Sequence, residues 1–275
     1  MKLDGCSALI TGASAGIGRE FARCLASRAR TLVLVARREE RLLELRDELL
    51  NRNRALEIHT RIVDLAELSQ IAALIDWLKE RKIDIDLLIN NAGLGDMGPF
   101  ATINEERITR MIDVNMTALT LLTRKLLPPM IARKRGAILN VSSSAGFLPI
   151  SEFSVYAATK AYVNSFSEGL RQELRGTGVN VCALCPGPVR TEFVEAALRA
   201  GQEMTNEGPE FVYVSAAHVA QSGLDAIERD LPLRIPGAIM KIGMAIVRAM
   251  PMSILRRASR SHENRTRQKI TSICI

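Results

Sequence analysis

Tyr156 and Lys160 stand four residues apart in the run 154–175, whose apolar spacing predicts a helix, so the two side chains share one face. That pairing can do chemistry on oxygen. A free phenol, with a pKa of about 10, is seldom ionised near neutral pH and is a poor proton carrier. An ammonium one turn away stabilises the phenolate, so the tyrosine can give a proton to a carbonyl oxygen or take one from an alcohol. Standing alone, the pair would fit an ordinary amphipathic helix better.

A second group sits near the N-terminus, in Thr11-Gly-Ala-Ser-Ala-Gly-Ile-Gly18. Gly12, Gly16 and Gly18 allow a tight turn, a close backbone approach to a pyrophosphate and close packing of the next helix, whose positive end then faces the anion. The spacing is G-x-x-x-G-x-G rather than the commoner G-x-G-x-x-G. A glycine cluster can also be no more than a strand-to-helix turn. Its place between the first predicted strand and the first predicted helix favours the anion site.

The elements that must hold these groups alternate regularly. Strand-like runs at 6–10, 31–36, 56–63, 85–89, 137–141 and 179–184 are separated by helical periodicity, including 17–28 and 39–50. Continuous Val/Ile/Leu runs between helices predict an α/β fold: a doubly wound parallel sheet of Rossmann type, covered on both faces, in a single domain. Such sheets bind ligands at the carboxyl ends of their strands. After the second strand come Ala36, Arg37 and Arg38. An acid there would bind a ribose 2′-hydroxyl and repel a 2′-phosphate, whereas Arg37 can fork onto the phosphate. As mere solvated charges at a helix start, the arginines would oppose the macrodipole. This end therefore predicts NADP(H) rather than NAD(H).

The glycine turn resembles the T-G-x-x-x-G-x-G fingerprint of the short-chain dehydrogenase/reductase family. The resemblance continues in order through Asn90-Asn-Ala-Gly93, Asn115, Ser143, Tyr156-x-x-x-Lys160 and Pro186-Gly187, over about residues 5–235. It implies a catalytic tetrad of Asn115, Ser143, Tyr156 and Lys160. Ser143 is chosen from three consecutive serines because the family places its serine thirteen positions before the tyrosine. Its hydroxyl would hold the substrate oxygen near Tyr156, Lys160 would also bond the nicotinamide ribose, and Asn115 would open a helix kink and hold a water that links Lys160 to solvent. The implied cofactor residues are Gly12, Ser14, Gly16, Ile17, Gly18, Arg37, Asp64, Leu65, Asn91, Ala92, Gly93, Tyr156, Lys160, Pro186, Gly187, Val189 and Thr191. Within that set, Asp64 and Leu65 would meet the adenine, Asn91–Gly93 the adenine-side ribose and Thr191 the carboxamide. Asp64 and Thr191 could equally serve as helix N-caps.

The function expected is an NADP(H)-dependent oxidoreductase that interconverts a carbonyl and a secondary alcohol. Phe147-Leu-Pro-Ile150, Phe153 and a lid over about 190–214 are apolar enough for a hydrophobic ketone or ketoacyl-type substrate, although they could instead pack on neighbouring helices. The alternative is a non-catalytic NADP-binding regulator or scaffold, against which the complete tetrad speaks. A nucleotide-sugar epimerase would normally carry G-x-x-G-x-x-G and a larger C-terminal substrate region.

Composition sets outer bounds. The 275 residues are 47% hydrophobic and 24% charged, an ordinary globular balance, and 4% aromatic, too few for base-stacking nucleic-acid platforms. His59, His218 and His262 lack ligand spacing, so no metal site is expected. The formal charge of +7 is uneven: residues 231–275 hold nine Lys/Arg and one acid, Glu263, and 1–230 are close to neutral. Within that tail, Pro236, Lys241, Arg248 and Pro251 interrupt a Met-rich apolar stretch, so it is not expected to span a membrane. A C-terminal helical extension, 236–275, is expected to pack on the cleft or a partner subunit, with weak contact to an anionic membrane surface as the other reading. Five cysteines, with Cys182 and Cys185 predicted on opposite faces of one strand, and the lack of a signal-peptide h-region point to the cytoplasm. A homodimer or homotetramer is expected.

Overall fold

Residues 1–199 and 210–257 are described by a computed structural model. The chain begins in the middle of its sheet. β1 (Ser7–Thr11) leads into α1 (Gly16–Leu25), then β2 (Thr31–Ala36), α2 (Glu39–Arg52), β3 (Glu57–Ile62) and α3 (Leu68–Glu80). The second half runs through β4 (Leu87–Asn90), α4 (Glu105–Ile112), α5 (Leu119–Ala132), β5 (Gly136–Val141), α6 (Ser154–Glu173) and β6 (Val179–Leu184). It ends with α7 (Glu192–Ala197), α8 (Ala216–Glu228), β7 (Leu233–Arg234) and α9 (Ala238–Ala249). The described strands order as β3-β2-β1-β4-β5-β6-β7, all parallel. Strand order reverses between β1 and β4, and the crevice opens there.

Period-two alternation sorts the side chains onto two buried faces. Ala8, Ile10, Leu32 and Leu34 pack with Phe21, Leu42, Leu45 and Leu224 beneath α1, α2 and α8. Leu9, Val33 and Val35 pack with Leu74, Leu122 and Leu170 beneath α3, α5 and α6. With both faces covered, the central strands β1, β2, β4 and β5 are buried throughout, while the edge strand β3, Glu-Ile-His-Thr-Arg-Ile, is partly exposed. β7 was not legible as a strand: it is two residues long, paired only to β6 and half-buried.

Cys182 lies in the first of these clusters and Cys185 in another, with Ile235 and Phe147, so the pair does not bridge. Among the described residues no group of side chains could hold a metal ion, and no helix is long and apolar enough to cross a membrane. His262, Cys274 and the cations Arg260, Arg265, Arg267 and Lys269 lie outside the described residues, as does 200–209 of the expected lid. In the described part of the tail, Met240 and Met244 of α9 pack toward Phe147 and Ile235, while Ile239, Ile242 and Ile246 face outward.

Candidate active site

The glycine turn is built so that backbone meets backbone. Gly12 (φ +66°) and Gly16 (φ +51°) lie in the left-handed region, and a Cβ at Gly12 would fall 2.9 Å from Ala92 Cα. At Gly18 a Cβ would meet the Gly12 carbonyl oxygen at 2.1 Å. α1 starts at Ala15 with no side-chain cap and no acid in its first turn, which leaves its amides to an external anion. Across the crevice, the Thr11 hydroxyl accepts the Asn91 and Ala92 amides at 2.9 and 3.0 Å, and Asn91 Nδ2 donates to Thr11 O at 2.9 Å. The Asn91 backbone amide and side-chain Nδ2 are thereby spent on joining β1 to β4. Gly18→Ala is expected to abolish cofactor binding and to lower the melting temperature, because the clash is with backbone that cannot rotate away. Dye-monitored unfolding and NADPH fluorescence titration check both.

Arg37 and Arg38 line the cleft at the end of β2. Arg37 is exposed and carries no ion pair among the described residues. Arg38 donates to Glu192 at 2.7 Å and lies 3.4 Å from the Ser14 hydroxyl, and Glu192 also pairs with Arg41. Sequence reasoning gave Arg38 no role and did not reach Glu192, because an acid 154 positions away leaves no local signal. Asp64 does not cap α3, which starts at Glu67. Its carboxylate takes Arg110 at 2.6 Å and the Ala66 amide at 3.0 Å; burial pushes the carboxyl up, but these two donors hold it below the usual range. Leu65 lines the cleft beside it.

Tyr156 and Lys160 are brought together in the crevice floor, both buried. Phe153 stacks on the Tyr156 ring at 4.3 Å between centroids, and Phe193 leans on it at 5.3 Å. Burial pushes the phenol up to about 12, against the opposing pull of the nearby Ser143 hydroxyl, whose oxygen accepts the Ala145 amide at 3.1 Å. Burial likewise brings the Lys160 ammonium down to about 8. Lys160 Nζ donates to the Val141 carbonyl at 2.9 Å and lies 5.6 Å from the Tyr156 ring centre. Ser142 donates to the Lys160 carbonyl at 2.9 Å, leaving Ser143 as the serine beside the phenol.

Asn115 falls in a wide turn of π-helix, Asp113–Ala118, between α4 and α5. Its side chain accepts the Leu94 amide at 2.8 Å and donates to Leu94 O and Thr159 Oγ1, both at 2.9 Å. It thus ties the strand-end loop that carries Gly93 to α6. A Cβ at Gly93 would stand 3.4 Å from Lys160 Nζ. Thr191 caps α7 through the Phe193 amide, and its methyl would lie 3.1 Å from a Cβ at Gly16, so it faces the glycine turn as well. Pro186 accepts the Ser144 amide, and Val189 bridges to Val214.

Most of these residues line one cleft of about 800 Å³, including Gly12, Ser14, Gly16, Ile17, Ala92, Gly187 and Val189. Gly18, packed on the Gly12 carbonyl, and Asn115, bonded to Leu94 and Thr159, stand behind its wall. Its far end is apolar, with Leu148, Ile150, Phe153, Phe193, Met240 and Met244. The last two were not read as site residues, since their distance in sequence from the motifs hides that Met240 packs on Gly187, its Cε 2.8 Å from where a Cβ would stand.

A doubly wound sheet with an uncapped helix start, a glycine turn and a buried Tyr–Lys pair in one crevice defines a dinucleotide-dependent oxidoreductase site. A short chain dehydrogenase family profile matches residues 7–202, and the chain belongs to that family. It is 41% identical to sulfoacetaldehyde reductase 2 of Chromohalobacter salexigens over 187 residues, 67% of this chain and 73% of that one. Among solved structures it resembles a short-chain dehydrogenase from Sphingobium yanoikuyae in complex with NADPH, at 32% identity and TM-score 0.76 over 97% of this chain and 95% of that one. It also resembles the bulky-bulky ketone specific alcohol dehydrogenase from Comamonas testosteroni, at 30% identity and TM-score 0.74 over 97% and 94%.

Proposed function

We propose that this protein is an NADP(H)-dependent oxidoreductase that interconverts a carbonyl and a secondary alcohol, and that it reduces a hydrophobic ketone or ketoacyl-type compound. The observation that carries the reading is the Tyr156 phenol, buried in the same cleft wall as Ser143 and Lys160 where the anion-binding end of the cleft meets its apolar end. The residues present fit the cofactor. The glycine turn and the α1 amides would hold the pyrophosphate, Arg37 and Arg38 the 2′-phosphate, Asp64 and Leu65 the adenine, Asn91–Gly93 and Lys160 the riboses, and Pro186, Gly187, Val189 and Thr191 the nicotinamide side. When bound, the nicotinamide gives or takes the hydride at the carbonyl carbon.

The chain's own residues do the rest. The Ser143 and Tyr156 hydroxyls would both bond the substrate oxygen and orient it, and Tyr156 would supply or remove its proton. Lys160 favours the phenolate by its charge, and Asn115 keeps the Gly93 loop against it. Phe153, Phe193 and the α9 methionines exclude water, which suits an apolar ketone better than a charged acid. The solved bulky-ketone relative is consistent with that choice. In the same reading, residues 1–235 form the catalytic domain and 236–275 an extension that packs on its cleft, in a cytoplasmic homodimer or homotetramer. Packing is preferred to lipid contact because Met240 and Met244 already face the cleft.

Purified protein incubated with a panel of ketones and aldehydes, with NADPH or NADH, tests the whole reading. Oxidation of NADPH well above NADH, strongest with bulky apolar ketones, is the expected result; no turnover with any carbonyl would sink it. Ala36→Asp with Arg37→Ala is expected to weaken NADPH binding by roughly 10–100-fold, the worth of a charge-assisted fork, and NADH binding far less. Titration that finds equal losses removes the 2′-phosphate assignment.

A further inference from the structure

Asp96 is a charged side chain wholly buried in the described structure, and the chemistry above makes no use of it. It lies in the loop that follows β4 at the mouth of the cleft. Arg199 grips one carboxylate oxygen through Nε at 2.9 Å and Nη2 at 2.6 Å, and Arg107 Nε stands 2.7 Å from the other, off the hydrogen-bonding direction. Both arginines lead to α7. Arg199 follows that helix and also donates to Pro99 O at 3.2 Å and Thr102 Oγ1 at 2.6 Å, and Arg107 donates to the Ala196 carbonyl at 3.2 Å. Backbone bonds run alongside, from the Met97 amide to Ala197 O at 2.8 Å and from the Gly98 amide to Glu152 O at 2.7 Å.

We propose that Asp96 is a positioning residue for the substrate end of the cleft: it latches the C-terminal end of α7 to the β4 loop and thereby holds Phe193 against Tyr156. The inference rests on the cleft being a carbonyl-reducing site. α7 has six residues, too few to keep a place by its own helicity, so its ties decide where it lies. A buried carboxylate is costly to maintain, and apolar packing would hold a loop at less expense. What the Arg199 guanidinium adds, with two N–H groups on one carboxylate oxygen, is direction, and Arg107 adds a second compensating charge. The direction matters because the space is tight. A Cβ at Gly95 would meet Phe193 Cζ at 2.9 Å, Ala197 Cβ at 3.1 Å and Phe153 Cε2 at 3.4 Å, so a small drift of α7 moves Phe193 relative to Phe153, the other ring that encloses the phenol. Phe193 leaves α7 at its N-terminal end, where the Thr191 cap and Glu192 on Arg38 and Arg41 hold the backbone, so the latch sets the tilt of the helix and with it the direction of the ring. Loosening the latch therefore affects the substrate end and spares the cofactor end.

The test compares the full-length protein with Asp96→Asn, which keeps the shape and removes the charge, and with Asp96→Glu and the gentler Arg107→Gln. Three measurements are made: KM and kcat for propiophenone or the best ketone of the panel, NADPH affinity by fluorescence titration, and the rate of tryptic cleavage after Arg199, followed by mass spectrometry. For Asp96→Asn the expected result is a KM raised about 10-fold or more, unchanged NADPH affinity, an unchanged pH profile of kcat, and several-fold faster cleavage after Arg199. Arg107→Gln is expected to move KM and cleavage the same way by less, and Asp96→Glu to restore part of both. If Asp96→Asn does not fold, Arg107→Gln decides. A folded variant with the parental KM and cleavage rate overturns the proposal, and so does a loss shared equally by NADPH affinity. Should no protein reduce any ketone, the activity reading fails by itself, and cleavage after Arg199 still decides the latch.

Discussion

Tyr156→Phe is expected to lower turnover by roughly 10²–10⁴-fold while leaving NADPH affinity close to that of the parent. The substitution removes one hydroxyl and keeps the ring, so the stack with Phe153 and the contact with Phe193 persist. What disappears is the proton donor. The phenol is held near 12 by burial, so at neutral pH it is protonated and ready to donate, as carbonyl reduction requires. Alcohol oxidation asks the same group to lose its proton, and is therefore expected to gain rate as pH rises. Steady-state assays in both directions, with a fluorescence titration of the cofactor, check this. A variant that kept most of its activity would show that Tyr156 is not the acid.

Lys160→Met is expected to act in two opposite senses: it removes turnover and weakens the cofactor, yet it stabilises the fold. The ammonium is 4% exposed, and its only hydrogen bond among the described residues is to the neutral Val141 carbonyl. Burial lowers its pKa from 10.5 to about 8, which corresponds to about 3 kcal/mol of destabilisation at neutral pH. Leaving the Val141 carbonyl unpaired takes back about 1 kcal/mol. Between pH 8 and 10 the unfolded chain keeps a proton on Lys160 that the folded chain has shed, so this lysine's share of the stability rises with pH in that window. Above pH 9 the Cys6, Cys182 and Cys185 thiols, pushed up by burial, lower the stability of parent and variant alike. Tyr156 does the same only above pH 10, where the unfolded phenol ionises first. Urea unfolding at pH 7, 8, 9 and 10 should show Lys160→Met more stable than the parent at pH 7, with the gap closing as the pH rises to 10. A variant less stable at every pH would mean that the lysine is not held against its hydration. Loss of turnover alone, with cofactor affinity intact, would break the double assignment of one ammonium to phenolate and ribose.

Much of the chemistry could be read along the chain because its determinants are local. The glycines of 12–18 are separated by one turn's geometry, Tyr156 and Lys160 by one helical turn, and Arg37 follows its strand directly. The β2 and β6 bounds came out as read, since strands buried on both faces are long apolar runs with sharp polar ends. Where no such edge exists the reading slipped: β4 runs Leu87–Asn90 rather than 85–89, and α1 stops at Leu25.

By itself, the sequence determined the α/β class, the order of strands and helices, the anion turn, the Tyr–Lys pair and the basic end of β2, because periodicity and short spacings are set by backbone geometry alone. Tertiary structure decided everything that depends on which distant segments meet. It committed the Asn91 side chain to β1 and turned Asp64 toward Arg110, 46 positions away. It set Glu192 on Arg38, folded Met240 over Gly187, and buried Asp96 between two arginines. It also decided the protonation of the site, since Tyr156 and Lys160 are displaced in opposite directions by the same cause. Desolvation belongs to the packed crevice, and no spacing along a chain records how little water will reach it.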